Sequence, residues 1–175
     1  SLKNAIADFI LTGIVKDIRF EKENHHSMLI HTSHLANEQA EICEKVDLTW
    51  KNWSAELTYP PQNSSDREIL SFLEGRWKDE FTSKSSVEDW EIIENKIADF
   101  CSKIEIKEIN YKSGEELNYS QNPDLKIIAI GGNRLSRGLT LEGLTVSYYT
   151  RRTKMYDTLL QMGRWFGFKK GYEDL

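Results

Sequence analysis

Much that would mark a secreted, membrane-bound or metal-built protein is missing from this chain. Only two cysteines occur in 175 residues. Both Cys43 and Cys101 fall within helical patterns, so reduced core thiols are expected in place of a disulfide framework or a cysteine metal site. No run of about eighteen apolar residues exists, and no cleavable leader is recognisable, so no membrane contact and a cytoplasmic location are expected. Also absent is any G-x-x-x-x-G-K-[ST] phosphate loop, and with it the acidic strand-end motif that completes such a site, so the chain alone is not expected to hydrolyse ATP. Histidines are few, and the spacing of His25, His26, His31 and His34 matches no zinc signature. Positive charge is not in excess either, the total being −5.

What is present is unevenly distributed. Between Lys126 and Lys170 nine Lys or Arg face only Glu142 and Asp157, a balance of +7, which leaves −12 for the rest of the chain. Four Tyr or Trp residues interleave this basic stretch. Basic and aromatic side chains together form the footprint expected for phosphate or nucleic-acid contact.

The same stretch is also the best ordered by pattern. Ile127, Ile128, Ala129 and Ile130 form a continuous apolar run stopped by Gly131-Gly132, the signature of a strand buried on both faces of a parallel sheet. Ligands collect at the carboxyl ends of such strands. At that place stands GGNRLSRGLT, with three glycines, Asn133, Ser136, Arg134 and Arg137. Glycine lets backbone amides approach an anion closely, and arginine offers a planar fork to phosphate. A second strand around Leu144, Val146 and Tyr148 ends in Thr150, Arg151, Arg152, Thr153 and Lys154, again placing basic groups at a strand end. Tyr156, Leu159, Leu160 and Gly163 then recur at helical spacing, which carries Gln161 and Arg164 on a rigid mount.

Elsewhere the pattern is that of scaffold. Leu2, Ala5, Ile6, Phe9, Ile10, Ile14 and Ile18 sketch an amphipathic helix closed by Arg19, and Met28 to Ile30 a strand running into His31. Leu35 to about Leu57 reads as helix, broken by the turn chemistry of Tyr59-Pro60-Pro61. Further helix faces are drawn by Ile69, Leu70, Leu73 and Trp77, and by Val87, Trp90, Ile93, Ile97 and Phe100. Ile104, Ile106 and Ile109 suggest a strand, and Ser113 to Asp124 a polar loop. Together these imply one domain over residues 1–175. Its expected fold is α/β, a mostly parallel sheet with helices on both faces and a helical insertion at about 52–103.

GGNRLSRGLTLEGL followed by QMGRWFG resembles motifs five and six of the second RecA-like lobe of superfamily-two helicases and translocases. The wording is most similar to the "Z-one" family, described as candidate endonucleases of bacterial restriction and defence operons, and MLIHTSH near the start is similar to that family's opening pattern. The resemblance implies a P-loop-type, RecA-like lobe that shares ATP and magnesium with an N-terminal ATPase lobe of the same protein, and tracks along nucleic acid, DNA being expected and RNA left open. It makes Arg164 the arginine finger, acting only with the partner lobe. It places Gly132, Asn133, Ser136, Arg137, Gly138 and Gln161 at the nucleotide, and Arg134, Arg151, Arg152 and Lys154 on nucleic acid. This chain departs from the pattern at Asn133 and Thr140, where acids are usual, and at Gly167, where a second arginine is usual. The stop after Gly171 to Leu175 reads as that of a domain excised from a longer protein. Two alternatives remain open at this point. One is a magnesium-dependent nuclease built on Glu105, Lys107 and Asp89 or Asp99, and the other a silent docking domain.

Overall fold

The computed structural model describes residues 1–20, 25–32, 36–81, 88–109, 122, 124–131 and 141–150. Four helices and four strands follow in the order α1 (Leu2–Arg19), β1 (His26–His31), α2 (Ala36–Thr58), α3 (Glu68–Glu80), α4 (Trp90–Ser102), β2 (Ile104–Ile109), β3 (Lys126–Gly131) and β4 (Leu144–Tyr149). A short 3-10 turn, Ser64–Asp66, separates α2 from α3. The strands form one sheet in the order β2-β3-β1-β4, and every described pairing is parallel. No described helix is long and apolar enough to cross a membrane.

Residue type explains the sheet's layout. Every residue of β3 and β1 is buried, whereas β2 and β4 are only partly covered. The uninterrupted apolar run of β3 is what a central parallel strand requires. Alternation sorts the side chains into two layers. Met28, Ile30, Ile128 and Ile130 join the helices in one core cluster, while Leu29, Ala129, Ile109, Leu141 and Leu144 make a second cluster across the sheet. The described helices thus pack on a single face. The helix expected around Tyr156 to Gly163, which would supply the other face, lies outside the described residues.

The first helix packs the apolar residues expected of it into the core, and its middle is enclosed further, because Phe9 through Lys16 are buried without interruption. It contacts β1, β4, α3 and α4, so Thr12 and Lys16 are enclosed too. A helix enclosed on several sides needs small residues at its closest contacts. Gly13 meets this need, since a Cβ there would collide with the Phe100 ring and approach His26 Cδ2 to 2.7 Å.

The block between β1 and β2 runs from Ala36 to Ser102, and α2 passes unbroken through Asn52, where the insertion is expected to begin. Long-range capping holds it together. The Glu56 carboxylate on α2 accepts from the amides of Ile69 and Leu70 at 2.7 and 3.0 Å, serving the orphan donors of α3 that Arg67 leaves unserved. Arg76 of α3 then grips Asp8 of α1 through both carboxylate oxygens at 2.8 and 2.9 Å, the fork geometry that makes arginine pairs directional.

Candidate functional site at the carboxyl edge of the sheet

The register levels the strand ends. Ile109, Gly131, His31 and Tyr149 lie in one row across β2, β3, β1 and β4. Neighbouring strands are about 4.8 Å apart, so the chain leaves β3 and β4 roughly 10 Å from one another, on either side of the exit of β1. GGNRLSRGLT begins at the first of these exits and TRRTK at the second.

His31 is the centre of the row. Its side chain is fully buried, on the same sheet face as Leu29, and its ring stacks on Tyr149 with centroids 5.5 Å apart and planes inclined by 29°. Its carbonyl oxygen accepts from the Thr150 amide at 3.1 Å and from the Thr150 hydroxyl at 3.2 Å. The next residue, Thr32, donates its amide to the Gly131 carbonyl at 2.8 Å. His31 thus joins β1 to β4 through its main-chain carbonyl, with its ring packed on Tyr149. Burial pushes the Tyr149 hydroxyl above the ordinary tyrosine range, so it stays a neutral donor at physiological pH. The row itself holds no Asp or Glu, and Glu108 lies one position back along β2.

The opposite, amino edge is built differently. His26 is fully buried between Phe9, stacked at 4.5 Å, and Phe100, edge-on at 5.8 Å. Its Nε2 donates to the Phe9 carbonyl at 2.7 Å, which leaves Nδ1 facing the Lys16 ammonium at 3.4 Å. Burial and then Lys16 hold the imidazole well below its usual range, hence neutral. Lys126 is equally buried and is bound by Asp17 and Asp124, each at 2.7 Å. Burial lifts the Asp17 carboxyl above its usual value despite Lys126. Burial acts on Asp124 too, but Lys126 and Lys103 outweigh it and carry that group below the usual range. Lys126 is thus answered by two carboxylates.

The site residues expected from sequence, Arg164, Gly132, Asn133, Arg134, Ser136, Arg137, Gly138, Arg151, Arg152, Lys154 and Gln161, all lie outside the described residues. What is described is the pair of strand ends from which they follow. Tyr149 and Thr150 are additions that sequence reading passes over as strand and basic-loop residues. Their signal is a pairing with His31, 118 and 119 positions away in sequence, which no local pattern reveals.

The nuclease set fares differently. Glu105 pairs with Lys107 at 3.3 Å along β2, and Asp99 on α4 pairs with Lys103 at 2.9 Å. Glu105 and Lys107 alternate with Ile104 and Ile106, which face the helices, so they point away from α4. Among the described residues no three His, Cys, Asp or Glu side chains converge as metal ligands. Cys101 is buried and Cys43 half-buried; burial, then Glu108 and Asp47, push the Cys43 thiol up to about 11, so it is unreactive at neutral pH.

Fold and edge together define a parallel α/β domain, compatible with a Rossmann or RecA-like lobe, whose strand ends carry its basic segments. The particular family is known as well. The Z1 domain model matches residues 1–175, and the chain belongs to that family. No curated protein and no solved structure matches it.

Proposed function

We propose that this domain is the second, arginine-finger lobe of a nucleic-acid-dependent ATPase or translocase of restriction or DNA-defence type. The observation that carries the reading is the level exit of β3 and β4 on either side of β1, which starts both basic segments at the carboxyl edge, where open parallel sheets take their ligands. The excess of Lys and Arg in the sequence that follows these two strand ends supports an anionic ligand there.

In this reading Gly132, Asn133, Ser136, Arg137, Gly138 and Gln161 line the nucleotide side, while Arg134, Arg151, Arg152 and Lys154 hold the nucleic-acid backbone. Arg164 meets the charge that develops on a transferring phosphoryl group. ATP with magnesium supplies the phosphoryl chemistry, and an N-terminal ATPase lobe supplies the phosphate loop this chain lacks. The track is DNA or RNA, the setting cytoplasmic, and the activity a hydrolase that this lobe completes but does not perform alone. A magnesium nuclease on Glu105 and Lys107 has less support, since these side chains pair with each other and face away from Asp99.

The test is Arg164→Ala in the full-length protein. Nucleic-acid-stimulated ATP hydrolysis is expected to fall by about 10³ to 10⁵ with folding intact. An unchanged rate would remove the finger assignment, and unchanged nucleic-acid binding after charge reversal at Arg137 as well would leave a docking domain.

A further inference from the structure

We draw no further inference here: the strongest candidate, the opening turn of α2 at the carboxyl edge of the sheet, where the side chain of Gln39 is buried and its amide nitrogen makes no hydrogen bond, carries nothing, because nothing in the structure shows that this nitrogen faces the amides of that turn, and Glu38 already supplies the negative charge such a turn favours.

Discussion

The two ends of the sheet differ in how they treat charge. At the amino end Lys16 is buried against the His25 carbonyl and the His26 ring, and buried Lys126 is held between Asp17 and Asp124. At the carboxyl end the hydrogen bonds of His31, Thr32 and Thr150 tie backbone to backbone and backbone to hydroxyl, and the basic residues follow in the sequence beyond β3 and β4. The first arrangement ties α1 to the start of β3. The second offers positions from which charge is presented. A like division runs through composition, since residues 36–102 carry fifteen acids against seven bases while the stretch from Lys126 to Lys170 is strongly basic. Negative charge is thus concentrated in the helical layer and positive charge in the sequence that follows the β3 and β4 strand ends.

If the amino end is structural, damage there should be severe. Gly143 has φ +67°, and a Cβ on it would collide with the His25 carbonyl. Gly143→Ala is expected to cost about 4 kcal/mol, through an unfavourable backbone conformation and a clash with unyielding main chain. Lys126→Ala strands two carboxylates and is expected to cost about 2–4 kcal/mol, the lower values reflecting the partial exposure of Asp124. Chemical denaturation checks both, with Arg152→Gln as the contrast, expected to stay within about 0.5 kcal/mol. Equal losses for Lys126→Ala and Arg152→Gln would erase the difference between the two ends.

A smaller effect follows from pH. His26 is neutral when folded, its affinity for a proton held down first by burial and then by Lys16. The unfolded chain, with a histidine near about 6.5, binds more protons as the pH falls below that value. Stability is therefore full above about pH 6.5 and declines below it, with a slope of at most about 1.4 kcal/mol per pH unit. Asp17, raised by burial, works the other way only nearer the carboxylate range. Unfolding free energies in the window between those ranges should slope in the parent protein and flatten in His26→Gln.

Local pattern carried much of the fold. The apolar run Ile127 to Ile130, the spacing of Leu70, Leu73 and Trp77, and the turn at Pro60-Pro61 each dictate an element through nearest-neighbour physics, and those elements stand where expected. The order β2-β3-β1-β4 was not legible, because the choice of partner for β1 depends on residues about a hundred positions away. Nor was the enclosure of α1. Lys16 and Thr12 are polar by type, and only the placing of the elements packed on α1 shows that they are covered. At the carboxyl edge, Gly131 and His31 could be assigned to strand ends from sequence, but the grip of His31 on Thr150 could not, being set by the shifted register of β1 against β4 between Ser27 and Met28.

The contrast between the ends is tested most directly by following backbone amide resonances while a single-stranded DNA oligonucleotide is titrated in. The largest changes are expected at Thr32, Gly131, Tyr149 and Thr150, with His26, Lys126 and the α2–α4 layer unmoved. Changes centred on the amino end or on the acidic helices, with the strand exits silent, would contradict the account.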